Sequence, residues 1–180
     1  MGASGGILVV WNSSVFIGTL IEVQQFAVVI RFTSRQNNEK WTLVVVYGPC
    51  QGEARDNFVN WLYNLCIPLN EHWLLLGDFN FLRSVDNRNL PGGDINDMFI
   101  FNVIIGHLSL LELPIKGRSY TWSNMQDIPL LEQVDWFFTS VDWITDYPMT
   151  EVLPLARTAS DHVACLVSIK TTIPKSNLFR

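Results

Sequence analysis

An α/β domain is the fold class that this sequence predicts, and three observations carry the prediction. Short apolar, β-branched runs recur along the chain, each stopped by Gly, Pro, Asn or Ser in the manner of strands. The stretch Glu53 to Ile67 changes to helical spacing, with Phe58, Trp61, Leu62 and Leu65 at i, i+3, i+4 and i+7. That stretch lies between two uninterrupted apolar runs, Trp41 to Tyr47 and His72 to Asp78, so strand, helix and strand read as a crossover unit. A chain of 180 residues is about one domain, read here as residues 1–180 with no repeat, linker or low-complexity tract. With 48% hydrophobic and 16% charged residues it is expected to bury a core, to which seven Trp and eleven Phe bring large aromatic bulk.

In order, Gly5-Gly6 opens into Ile7 to Trp11, read as a first strand, and Asn12-Ser13-Ser14 is a turn. Val15 to Glu22 and Phe26 to Phe32 follow as two more strands of a β-meander. Trp41 to Tyr47 does not alternate, which predicts a strand covered on both faces, and Gly48-Pro49 ends it. After the helix comes His72 to Asp78, then a polar surface loop, Arg83 to Asp94, containing Pro91-Gly92-Gly93. Asn96 to His107 is a second helix, capped by Asp94 or Asn96, with Phe99, Val103 and Ile104 on its apolar face. His107 near its end reads as a partner of the helix dipole. Leu131 to Thr139 is a strand, Ser140 to Tyr147 a short helix, Val152 to Leu155 an approach to a loop, and Val163 to Ile169 the final strand. The polar tail from Thr171 is expected to fray.

The formal net charge of −5 gives no support for non-specific nucleic-acid binding unless cations gather locally, as at Lys116, Arg118 and the Arg83 to Arg88 loop. Cys50, Cys66 and Cys165 are odd in number and lack C-x-x-C spacing, which argues against a disulfide framework or a zinc site and fits a reducing, intracellular compartment. No apolar run approaches the length of a membrane span. The first residues lack a basic n-region, and Gly6 stands where a myristoylation motif needs Ser or Thr.

Chemistry gathers at His72-Trp73-Leu74-Leu75-Leu76-Gly77-Asp78-Phe79-Asn80, an apolar run ending in a carboxylate and an amide. Strand ends are where layered α/β folds bind ligands, and such a pair can orient water, accept a proton or hold a hard cation. Gly, Asp and Asn also make ordinary turns, so a plain turn is the competing reading. Asp135 is a lone carboxylate between Val134 and Trp136, and a charge in an apolar strand needs a partner or a metal. Ser160-Asp161-His162 precedes the last strand; a nucleophilic triad explains it poorly, because triad members come from separate segments. Convergence of Asp78, Asn80, Asp135, Asp161 and His162 at one sheet mouth is the expectation, with Asp135 in hydrogen-bond reach of His162.

The order of motifs resembles the endonuclease/exonuclease/phosphatase superfamily: Tyr47-Gly48-Pro49, Leu76-Gly77-Asp78-Phe79-Asn80, Tyr120-Thr121-Trp122-Ser123, Val134-Asp135-Trp136-Phe137 and Ser160-Asp161-His162. Gly5 to Trp11 is similar to an early strand of the endonuclease domains of plant non-LTR (LINE-type) retrotransposons, which accompany reverse transcriptase. The resemblance implies a four-layer α/β sandwich, two mixed β-sheets flanked by helices, and Mg²⁺- or Mn²⁺-dependent phosphodiester hydrolysis on DNA, with a nuclear location. It implies that Asp78 activates water, Asn80 orients it and binds phosphate, and Tyr47 contacts phosphate. His162 would bind the scissile phosphate with Asp135 orienting it, and Asp161 would serve the metal. Tyr120 to Ser123 reads as structural. The family places an Asn and a metal-binding Glu on strands upstream of Gly5, so the resemblance implies a domain lacking its first strands, with hydrolysis impaired. Gln133 stands where an Arg is usual, and Trp136 where a basic residue is common. A non-catalytic remnant or interaction module, and a phosphatase of small phosphorylated molecules, are the alternatives.

Overall fold

The structure, a computed structural model, describes residues 5–68, 71–156 and 160–169. Strands β1 (Phe16–Val23), β2 (Ala27–Ser34) and β3 (Lys40–Tyr47) form an antiparallel meander. Helix α1 (Glu53–Tyr63) then carries the chain to β4 (His72–Asp78), which lies parallel to β3, as the crossover pattern predicts. Helix α2 (Ile95–His107) is capped by the Asp94 carboxylate, which accepts from the backbone N–H groups of Asn96 and Asp97. Short strands β5 (Leu111–Glu112), β6 (Trp122–Ser123) and β7 (Leu131–Glu132) precede β8 (Asp135–Thr139). Helix α3 (Val141–Asp146), β9 (Glu151–Pro154) and β10 (Cys165–Ser168) complete the described chain.

The main sheet has the order β1-β2-β3-β4-β8-β5 and is mixed. Alternation along β4 sorts its side chains to two cores. Leu75 faces α1 and α2, with Phe58, Leu62, Phe101, Ile104 and Phe138, whereas Leu74 and Leu76 face the other side with Phe137, Trp143 and Val152. Each fully buried Phe or Leu stabilises the fold by about 1.5–3 kcal/mol. The second sheet lies across that other side: β10 pairs with β9, a parallel bridge joins Ile115 to Val152, and a bridge from Trp122 to His162 brings in the β6–β7 ladder. The α/β sandwich of mixed sheets flanked by helices is therefore the one expected.

Four local expectations are corrected. Ile7 to Trp11 is not a strand, because no ladder partner lies beside it among the described residues; Leu8 and Val10 are exposed, while Trp11 packs edge-on against Phe32. Leu131 to Thr139 is two strands in different sheets, the chain crossing from one to the other at Gln133-Val134. Val152 to Pro154 belongs to a strand, β9, with Leu155 just beyond its end, since Val152 and Leu153 pair with Val167 and Leu166. In α2 the buried face is Met98, Phe101, Ile104 and Ile105, leaving Phe99 and Val103 exposed; the helix is apolar nearly all round, so periodicity alone did not fix which face turns inward. The tail from Thr171 lies outside the described residues. Among the described residues no helix is long and apolar enough to cross a membrane, and the three cysteines are free.

Candidate active site

Gly77 sets the geometry. Its φ of 134° is open only to glycine, and it lies opposite Val46 in the β3–β4 ladder, so β4 can turn its last residue, Asp78, toward the sheet's end. Asp78 pairs with Tyr47 on one side and with Asp135, the first residue of β8, on the other. The two carboxylates thus stand directly opposite each other, an arrangement that like charges disfavour unless something intervenes.

The intervening group is His162. Its Nδ1 lies 2.9 Å from Asp135 Oδ2 and its Nε2 lies 3.8 Å from Asp78 Oδ2. The hydrogen bond to Asp135 is the largest influence on the imidazole and raises its pKa, opposed by burial and supported by the charges of Asp135, Asp78 and Asp161. When protonated, the ring donates from Nδ1 to Asp135 and turns Nε2–H toward Asp78. Asp78 is pushed up to about 6, first by burial and then by the charge of Asp135, with the backbone N–H of Asn80 pulling the other way. A carboxylate with this pKa, beside an imidazole held in place, is an acid–base pair separated by environment.

Asn80 closes the near side with φ 54°, in the left-handed region. Its backbone N–H donates to Asp78 Oδ1 at 2.9 Å, and its amide donates to Gly48 O at 2.7 Å and to Asp78 Oδ2 at 3.1 Å. Both amide hydrogens are thus engaged, and a phosphate contact by Asn80 requires one of them to be exchanged. Tyr47 is exposed at the rim. Asp161, also exposed, accepts a hydrogen bond from Trp122 Nε1 at 3.0 Å, which is the main reason its pKa is lowered.

The structure thus brings Asp78, Asn80, Asp135 and His162 together at one mouth, with Asp161 next to His162 and Tyr47 next to Asp78. The cations expected to meet phosphate already have protein partners. Arg83 is spent on Glu112 and Asn102 and lies over Trp136 and Phe138, Arg88 pairs with Glu132 and Lys116 with Glu151. Arg118 donates to the carbonyl of Tyr120. Their partners are remote in sequence except for Tyr120, so charge counting along the chain did not reveal them.

Thr121, within the stretch read as structural, supports the site from behind. Its fully buried Oγ1 accepts from the backbone N–H groups of both Val134 and Asp135 at 3.1 Å, fixing the point where the chain crosses between sheets. Thr121→Val is expected to cost about 2–4 kcal/mol by orphaning two buried donors, whereas Thr121→Ser keeps the acceptor and loses only a methyl. Urea denaturation of the two variants checks this, and equal losses would show that the hydroxyl is not what matters.

A hard cation needs several oxygen ligands in one place. Among the described residues no group of three or more His, Cys, Asp or Glu is placed to hold a metal. Asp135 is engaged by His162, Asp161 by Trp122, and the imidazole ring occupies the space between Asp78 and Asp135. These residues do not make up a Mg²⁺ or Mn²⁺ site.

Among solved structures, the endonuclease domain of TRAS1, a telomere-specific non-LTR retrotransposon, superposes with a TM-score of 0.67 at 18% sequence identity, over 91% of this chain and 72% of that one. The mannosyl-6-phosphatase of Bacteroides thetaiotaomicron superposes with a TM-score of 0.51 at 13% identity, over 89% of this chain and 69% of that one. At these identities the likeness is one of fold. No family model matches the sequence, and no curated protein is significantly similar to it.

Proposed function

We propose that this chain, which has the fold of the endonuclease/exonuclease/phosphatase proteins, is an endonuclease-like phosphodiesterase domain of retrotransposon origin acting on DNA. The observation that carries the reading is the placement of Asp78, Asp135 and His162 at one mouth of that fold, within 3.8 Å of one another along the chain of contacts. Asp78, with a pKa of about 6, takes the proton of a water attacking phosphorus as the P–O bond opposite it breaks, and the leaving sugar oxygen takes its proton from solvent. Asn80 Oδ1 orients that water. His162, held by Asp135, presents Nε2–H to the phosphate oxygen on which charge develops, and fixed donors of this kind are worth most in a partly buried site. Tyr47 at the rim contacts the neighbouring phosphate.

That same observation favours a second reading, a non-catalytic remnant that keeps the fold and the charge arrangement. Nicking of supercoiled plasmid by the chain separates the two. The first reading expects nicking above the protein-free control that is lost in His162→Ala and raised only weakly by Mg²⁺ or Mn²⁺ over EDTA. Equal nicking by the parent and His162→Ala, or none under any of these conditions, leaves the second.

A further inference from the structure

Arg55 stands in the first turn of α1, where the helix dipole disfavours a cation, and its side chain is only 16% exposed. Such a placement needs compensation, and the guanidinium has it from three segments. Nη1 donates to the carbonyl oxygens of Pro49 and Cys50 at 3.2 Å, in the loop that follows β3, and to that of Asn80 at 2.9 Å. Nε and Nη2 both donate to Asp97 Oδ2, at 3.2 and 2.7 Å, in the first turn of α2. The face of the group lies 3.6 Å from the ring centroid of Phe81. A planar fork is needed to serve acceptors on three sides while stacking on a ring, and a lysine cannot do so.

The carbonyl of Asn80 is the acceptor that matters. Asn80 sits at φ 54°, in the left-handed region that asparagine visits more readily than most residues but need not keep. Three contacts hold it there: Arg55 holds its carbonyl, Asp78 its N–H, and Gly48 its side chain. The two loops are already as close as they can be, since a Cβ on Gly48 would lie 2.5 Å from the carbonyl oxygen of Phe79. We infer that Arg55 is a positioning residue of the site, a clamp that locks the loop after β3 to the end of β4, keeps Asn80 left-handed and so aims its N–H at Asp78. The inference rests on Asp78 and Asn80 forming the working site, but its readout does not depend on cleavage.

The test is carboxyl ¹³C NMR titration of Asp78 in metal-free buffer, with hydrogen exchange of the Asn80 amide, in the parent, Arg55→Lys, Arg55→Met and Asp97→Asn. If the clamp acts as inferred, Arg55→Lys keeps the fold, yet the Asp78 midpoint rises by on the order of half a unit, because a hydrogen bond to its charged form is weakened. The Asn80 amide then exchanges about tenfold faster or more. Asp97→Asn, which loosens the guanidinium from the α2 side, moves both readouts in the same direction. An unchanged Asp78 midpoint and Asn80 exchange in Arg55→Lys and Asp97→Asn, with only unfolding midpoints altered, overturns the inference. A shifted midpoint in a chain that does not nick plasmid sustains the clamp and fails the proposed function, so the two are distinguishable.

Discussion

Asp78→Asn is expected to raise the stability of the domain at pH 7 by about 1–2 kcal/mol while lowering phosphodiester cleavage about 100-fold or more. The carboxyl is pushed up from 3.8 to about 6, by burial first and by Asp135 second. An acid whose pKa is higher in the folded state binds protons more tightly there. Stability is therefore lost as pH rises from about 4 through about 6, and the loss is complete near neutrality. At 1.36 kcal/mol per unit, the shift corresponds to roughly 3 kcal/mol. Asparagine has no charge to desolvate, and its Oδ1 can still accept from the N–H of Asn80. It forgoes the attraction to His162, which is why the expected gain is smaller than the full penalty. Urea unfolding between pH 4 and 8 checks this through the difference between the two curves, which removes carboxylates common to both. Parallel curves would mean that Asp78 is not strained by its setting, and undiminished nicking by the variant would remove it from the reaction.

Gly77→Ala is expected to cost more than about 3 kcal/mol and to abolish the site with it. A Cβ at this position would lie 2.0 Å from the carbonyl oxygen of Val46 and 3.0 Å from its backbone N and C, all in the strand to which β4 is hydrogen-bonded. None of these atoms is the end of a flexible side chain, so relief requires parting β3 from β4 at the residue before Asp78. The φ of 134° adds backbone strain for any L side chain. Gly106→Ala is the control, because nothing lies within 4 Å of its added methyl and the change should favour the helix by a few tenths of a kcal/mol to about 1. Urea midpoints and far-ultraviolet circular dichroism of the two variants decide the matter; a Gly77→Ala chain as stable as Gly106→Ala would contradict the close approach.

Much of this was legible in local sequence. The continuous apolar runs at β3 and β4, the helical spacing of Phe58 and Leu62 between them, and Gly77 before Asp78 each state a local requirement: both faces covered, one face covered, or a turn that only glycine makes. Those requirements are met by neighbours in the chain or by burial as such, so pattern suffices to read them. The order of the motifs was enough to expect Asp135 beside His162, and they meet at 2.9 Å.

What only the tertiary structure decided are the pairings between remote segments. That Asp78 faces Asp135 follows from the antiparallel register of β4 and β8, and that register depends on the chain leaving one sheet for the other at Gln133-Val134 over the hydroxyl of Thr121. A slip of one residue would send every side chain of β8 to the opposite face, and nothing in the run Leu131 to Thr139 marks where it breaks. The fates of Arg55, Arg83 and Arg88 were equally hidden, since Asp97, Glu112 and Glu132 reach them only once α2 has docked, β5 has joined the main sheet and β7 is in place. The sequence by itself determined the kinds of element, the need for glycine at 77 and the candidate acid, amide and imidazole. Pairing of β4 with β8 determined which carboxylate is buried against which, and therefore which of them carries a pKa near 6, because desolvation and Coulomb repulsion depend on distances that exist only once the two strands are paired and covered.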